Sequence, residues 1–148
     1  MNENGLKYLI YKIGEEVYGS PLLSIREVLE YQAPKFMPNM VDYFTGVINV
    51  RGGIVGVIDL RLKFKLIEKN KNSQTALLLC DTDRGLIAAV VDAVESVQLI
   101  EEKDLEKEPP IQSKIDKSFL IGVARNKDRL ITIVDIHKSI SFEELKVG

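Results

Sequence analysis

The chain has 148 residues, 45% hydrophobic and 28% charged, enough for one buried core and too polar throughout for the roughly 20 apolar residues of a membrane span. Twenty basic against 22 acidic residues leave a net charge of −2, so no strong field exists to hold a nucleic acid. The N-terminal run MNENGLKY lacks the basic-then-apolar order of a secretory signal, which predicts a cytoplasmic protein without direct membrane contact.

In chain order, the apolar segments are short, rich in Val and Ile, and broken at regular intervals by glycine or charge, the pattern of many short strands. Leu6 to Ile13 is read as a first strand, Gly14-Glu15-Glu16 as a turn and Val17 to Gly19 as the hairpin return. Ser20-Pro21 has the form of a helix start, serine capping and proline in the first turn, but the β-branched residues of Ile25-Arg26-Glu27-Val28 predict a prompt return to strand. Thr45 to Val50 and Ile54 to Leu60 flank Arg51-Gly52-Gly53, whose glycines permit the positive φ angles of a tight hairpin. The polar run Glu68 to Ser73 marks a connector, at 68–74. Beyond it come Thr75 to Cys80, a turn at Asp81 to Gly85, and Leu86 to Val91. A long loop is expected from Glu101 to Ser118, with Pro109-Pro110 inside it, followed by strands at Phe119 to Ala124 and Leu130 to Ile136 about a turn at Arg125 to Arg129. Ser141 and Glu144 form a capping-box pattern for a terminal helical turn.

The two halves repeat. Gly46-Val47 precedes Asp59-Leu60 by the same 13 positions that separate Gly122-Val123 from Asp135-Ile136. Ile25-x-x-Val28 follows Val17 at the spacing with which Val94-x-x-Val97 follows Leu86. A duplicated β unit is the economical explanation, and halves this short would share an apolar interface. The expectation is one domain over 6–140, with lobes at 6–67 and 75–140.

Chemistry is sparse. Cys80 is the only cysteine, which excludes a disulfide within the chain, and its place at the end of an apolar run fits a small buried hydrophobe. His137 is the only histidine; no serine or cysteine is paired with it in a recognised motif, and one Cys with one His gives no metal spacing. Asp59 and Asp135 occupy equivalent strand ends, where carboxylates accept backbone hydrogen bonds. The glycines at 52 and 53 belong to a hairpin tip and not to a phosphate-binding turn. No catalytic residue, cofactor or metal is expected. Protein recognition remains, on β-rich lobes with a groove between them that Ile25, Val28, Val94 and Val97 would line, the competing reading being that these four are plain core.

The run Phe44-Thr45-Gly46-Val47-Ile48-Asn49-Val50-Arg51-Gly52-Gly53-Ile54-Val55-Gly56-Val57-Ile58-Asp59-Leu60-Arg61 closely resembles the G-V-(I/V/M)-N-(L/V)-R-G…(V/I)-D-L-R signature of CheW-like domains. Tyr18-Gly19 with Pro21, Ile25-Arg26-Glu27-Val28, Val90-Val91-Asp92-Ala93-Val94 and Ile133-Val134-Asp135-Ile136 are similar to further segments of that family, so the resemblance covers about residues 6 to 140. It implies two five-stranded SH3-like β-barrels packed around a shared hydrophobic core, with little helix. It also implies a monomeric, non-enzymatic adaptor that joins the regulatory domain of the histidine kinase CheA to the cytoplasmic tips of methyl-accepting chemotaxis receptors, recruited to membrane-associated arrays.

By the same resemblance Glu27, Asn49 and Arg51 are receptor-contact residues, with Glu27 and Arg51 paired to position the groove; kinase-contact residues stay unassigned. Gly56 stands where many members carry proline and Glu30-Tyr31 replaces a common glycine-tyrosine, departures that point to a different partner preference. A module of a CheV-type or CheA-type protein is the alternative within binding modules. A small β-barrel hydrolase using Asp59, Asp135 or His137 is the alternative outside them.

Overall fold

The computed structural model describes residues 5–64, 74–82, 85–107 and 117–140. The strands are β1 (Gly5–Ile13), β2 (Glu16–Pro21), β3 (Glu27–Glu30), β4 (Phe44–Val50), β5 (Gly53–Asp59), β6 (Ala76–Thr82), β7 (Gly85–Val91), β8 (Ala93–Glu101), β9 (Leu105–Glu106), β10 (Leu120–Asn126) and β11 (Arg129–Val134). Single-turn helices α1 (Leu60–Lys63) and α2 (Ile136–Ser139) follow β5 and β11. The chain is all-β, as its pattern predicts. The connector core at 68–73, Pro109-Pro110 and the terminal turn from Ser141 lie outside the described residues.

Several local expectations are revised. Ser20-Pro21 closes β2 and caps nothing: the Ser20 hydroxyl bonds the Tyr11 hydroxyl at 2.8 Å and donates to the Val134 carbonyl at 2.9 Å, so it serves the core, and a 3-10 turn begins only at Leu22. Leu60 and Ile136 leave their strands because Asp59 and Asp135 cap the turns that follow, accepting from the backbone N–H groups of Arg61 and Lys138. Inside the expected 101–118 loop, β9 pairs with β10.

A six-stranded sheet runs β8-β1-β2-β11-β10-β9 and a five-stranded sheet runs β3-β6-β7-β5-β4. The two share one plan, since β3-β6-β7-β5-β4 corresponds in order to β8-β1-β2-β11-β10, with β5–β7 and β11–β2 the parallel pairs. The sixth strand is the two-residue β9. The duplication is therefore real, but the sheets do not follow the halves. The hairpin β1–β2 joins strands from beyond residue 90, while β6–β7 joins β3, β4 and β5. A division into lobes at the connector does not match these sheets, because each half lends its hairpin to the other.

That exchange requires strands buried on both faces. Along β6, Leu77 and Leu79 face a cluster with Ile48, Val55, Val57, Ala88 and Val90, whereas Leu78 and Cys80 face a larger cluster with Leu9, Tyr11, Ile58 and Val134. Along β1, Tyr8 and Ile10 pack with Ile100, Ala124, Ile131 and Ile133, and Leu9, Tyr11 and Ile13 turn to the larger cluster. Each sheet thus has its own interior, and the third cluster is the shared core between them. Uninterrupted runs such as Ala76-Leu77-Leu78-Leu79-Cys80 have this physical cause.

The repeated Gly-Val also has a reason. Gly46 faces Val57 and Gly122 faces Ile133, each just after a bulge, and each lies under a crossing backbone. A Cβ on Gly122 would stand 2.5 Å from the Glu106 carbonyl oxygen, and one on Gly46, where φ is +145°, would overlap that of Lys35. Lys35 bridges to Val47, and Glu106 pairs with Val123.

Candidate functional site

The signature residues Asn49 and Arg51 sit at the β4–β5 tip. Val50 faces Gly53, leaving Arg51 (φ 47°) and Gly52 (φ 86°) as the two central residues of the turn. Two positive φ values match the right-handed twist of the flanking strands, and Asn49 holds the turn by accepting from the Gly52 N–H at 3.0 Å. The turn aims Arg51 across to β3, where it meets Glu27 through two hydrogen bonds, Nη2 to Oε1 at 2.5 Å and Nη1 to Oε2 at 3.2 Å. Since β3 and β4 are opposite edges of the five-stranded sheet, this clasp ties the curled sheet to itself. The Arg51 hydrogen bond holds the Glu27 carboxyl below its ordinary value of 4.5, and Glu27 in turn raises Arg51. The Arg51 side chain stays 64% exposed, and the pair occupies only part of the five-donor guanidinium fork.

The expected apolar set is divided. Ile25 and Val94 pack against the shared core. Val28 faces Leu78 in register and Val97 faces Leu9, both partners in the shared cluster, so Val28 and Val97 stand on the inter-sheet faces of their sheets. They remain 45% and 48% exposed. Glu27 pairs with Leu79, which faces the sheet's own interior. Glu27, Asn49 and Arg51 therefore form one polar cluster, while Val28, next to Glu27 in sequence, points to the other side of β3.

A second clasp was not legible in the sequence. β8 bulges where Ser96 faces Ile10 and Val94 faces Tyr11, leaving Glu95 extra. Bulges re-aim side chains, and Glu95 reaches Arg129 at the start of β11 with bonds of 2.8 and 3.2 Å. Each sheet thus carries a carboxylate–arginine link from its edge strand to its hairpin.

The remaining signature residues are buried. Arg61, fully enclosed, donates from Nε and Nη2 to both oxygens of Asp59 at 2.9 and 2.7 Å, and from Nη1 to Asp92 at 2.9 Å. The second Asp92 oxygen accepts from the Gly14 N–H at 2.6 Å. A buried charge deprived of its partner costs about 3–5 kcal/mol, so these carboxylates are committed to structure. Asp135 caps α2 and His137 is exposed on it, apart from the buried network. Burial pushes the Cys80 thiol up to about 12, with Asp81 adding to the effect, as expected of a small core residue. Among the described residues no cluster of His, Cys, Asp and Glu could hold a metal, and no helix is long and apolar enough to cross a membrane.

The described residues offer exposed, prepositioned side chains suited to recognition. The model of the CheW-like domain matches residues 7–144. The chain belongs to the CheW-like family. It is 30% identical to the chemotaxis protein CheW of Klebsiella aerogenes over 95% of this chain and 85% of that one. It is 24% identical to the CheW of Treponema pallidum over 99% and 88% respectively. The crystal structure of the scaffolding protein TtCheW from Thermoanaerobacter tengcongensis superposes with a TM-score of 0.86 at 27% identity, covering 98% of this chain and 94% of that one. The chain is accordingly a chemotaxis scaffold protein and not an enzyme, which removes the hydrolase alternative.

Within the CheW-like frame the signature divides by task. Gly46, Asp59, Arg61 and Asp92 build the fold; Asn49 and Arg51, with Glu27, are left at the surface.

Proposed function

We propose that this chain couples chemoreceptors to the histidine kinase CheA, from the cytoplasmic side of a membrane-associated array, with the receptor tip received by Glu27, Asn49 and Arg51 and by the face bearing Val28 and Val97. The observation that carries this reading is the Arg51 clasp: an arginine fixed at both ends, by a turn that Asn49 locks and by the Glu27 carboxylate, yet largely exposed. A prepositioned guanidinium gives up little side-chain freedom on docking and offers its remaining donors to a carboxylate or carbonyl. Ile25 and Val94 support the face from beneath, through the shared core. Arrays assemble through many modest contacts, so each binary affinity is expected near micromolar, roughly −8 kcal/mol.

Co-sedimentation of the protein with a receptor cytoplasmic fragment, with CheA, and with both tests the reading, alongside an Arg51→Glu variant of verified fold. Ternary assembly that the variant weakens at the receptor step alone supports it. Failure to bind any cognate receptor or kinase refutes the coupling role and leaves the fold as described.

A further inference from the structure

The duplicated plan explains why both halves carry a capping aspartate, but it does not explain Arg61 and Asp92. By the spacing that matches the hairpins, Arg61 corresponds to His137, which is exposed on α2. By the spacing that matches Val28 to Val97, Asp92 corresponds to Leu23, which is 98% exposed. Among the described residues the buried network therefore has no counterpart at the matching positions, and its location is particular. Asp92 is the sole residue between β7, in the five-stranded sheet, and β8, in the six-stranded one. Its backbone N–H donates to the Lys12 carbonyl at 2.9 Å and its Oδ2 accepts from Gly14, fixing the crossover to the β1–β2 turn. Its Oδ1 takes Arg61 from α1, at the end of β5. One side chain thus holds both sheets. β8 starts at the next residue, with Ala93 facing Lys12, so the position of Asp92 sets that of Val94 and Val97. Lys63, also on α1, lies over the rings of Tyr43 and Phe119 at 4.3 and 4.9 Å, which places the same helix against segments preceding β4 and β10.

We propose that Asp92 and Arg61 are positioning residues that fix the separation of the two sheets, and with it the spacing of Val28 and Val97 across the inter-sheet face. The effect on spacing stands by itself; the effect on receptor binding rests on the coupling role proposed above.

Asp92→Asn keeps the shape but leaves one oxygen to serve either Arg61 or Gly14, not both. Spin labels on Val28→Cys and Val97→Cys report the spacing by double electron–electron resonance, Cys80 being buried and shielded from labelling. The expected result is a broadened or shifted 28–97 distribution in Asp92→Asn, with the 28–54 distribution inside one sheet (labels on Val28→Cys and Ile54→Cys) unchanged. Ile133→Ala, which opens a cavity in one sheet's interior and costs stability on the scale of a broken buried pair, should leave 28–97 as in the parent. Unlabelled Asp92→Asn should bind the receptor fragment roughly fivefold more weakly than Ile133→Ala, within the range by which a residue away from a ligand alters its binding. Should Asp92→Asn not fold, Arg61→Lys replaces it, since an ammonium point charge cannot span both aspartates. A 28–97 distribution identical to the parent's in the folded variant overturns the proposal. A changed distribution with unchanged receptor affinity upholds the positioning and counts instead against the docking face.

Discussion

Leu77 and Leu78 are neighbours on β6, both fully buried, and they point into different cores. Truncating either to alanine removes a well-packed side chain and leaves a cavity, at a cost of about 3–4 kcal/mol. For a chain of this size about 1 kcal/mol lowers Tm by roughly 3 °C, so each variant should melt about 10 °C below the parent. The exchanged hairpins decide how they melt. β6–β7 holds together strands of the first half, and β1–β2 holds together strands of the second, so neither sheet can open without releasing the other's hairpin. Both variants should unfold in one transition, with calorimetric and van't Hoff enthalpies equal. Tyrosine supplies a second probe: Tyr8, Tyr11 and Tyr18 all lie in the six-stranded sheet, away from the interior that Leu77 fills. Tyr31 packs against the Leu77 interior and Tyr43 precedes β4, so the signal is read in a Tyr31→Phe, Tyr43→Phe background, where the near-ultraviolet signal of the other three should nonetheless shift with Leu77→Ala as far as the far-ultraviolet signal does. Two resolved transitions, or a tyrosine signal that keeps the parent midpoint in Leu77→Ala, would refute the single cooperative unit.

The same exchange predicts that fragments 1–67 and 75–148, made separately, lack native dispersion in NMR spectra and recover it on mixing; a native spectrum from either alone would contradict the topology. Glu27, its carboxyl lowered chiefly by the Arg51 hydrogen bond, should titrate below 4.5 in carbon-detected NMR and move upward in Arg51→Ala, where the weaker pull of Arg26 remains. Because the folded pKa is the depressed one, the clasp's contribution is fully present above about 4.5 and is lost as pH falls through the lower folded value; an unshifted titration would show the clasp does not form. Gly46→Ala should cost roughly 3 kcal/mol in urea denaturation, since it combines a positive φ with overlap on the Lys35 carbonyl. Gly14→Ala, at φ +65° with nothing within 4 Å, should cost only about 1 kcal/mol, and equal costs would remove the close approach as the reason for the repeated Gly-Val.

What the sequence disclosed follows the range of the interactions involved. Hairpins were legible because turn and strands are adjacent, as at Arg51-Gly52-Gly53, and so were Asp59 and Asp135 as acceptors of backbone hydrogen bonds, which they make within three residues, although the helical turns they cap were not. The clasp of Glu27 and Arg51 came from family likeness, since nothing local joins residues 24 positions apart. Arg61 and Asp92 both stood inside recognised motifs, yet their burial depends on a crossover between sheets that no motif encodes. Glu95 was missed because a bulge is a mismatch of register, visible only once the partner strand is known. Leu77-Leu78-Leu79 tells that a strand is covered on both faces without telling by which strands, and so the exchange of hairpins stayed hidden.

The two departures from the family pattern can now be separated by where they fall. A Cβ at Gly56 would stand 2.8 Å from Phe44 Cε2 and 3.2 Å from Ile87 Cδ1, so the Phe44 ring fills the space that a side chain at this position would take. Phe44 belongs to the shared core, and the substitution is absorbed there as a packing exchange that leaves Arg51 and Val28 untouched. Glu30 behaves differently. It faces Ala76, a shared-core residue, as Val28 faces Leu78, so alternation along β3 puts Glu30 on the same inter-sheet face as Val28. It is exposed, and it adds a negative charge where glycine would present none. On the docking reading proposed above, only Glu30 of the two alters what a partner would meet, and a partner segment with a basic residue opposite the end of β3 would be favoured.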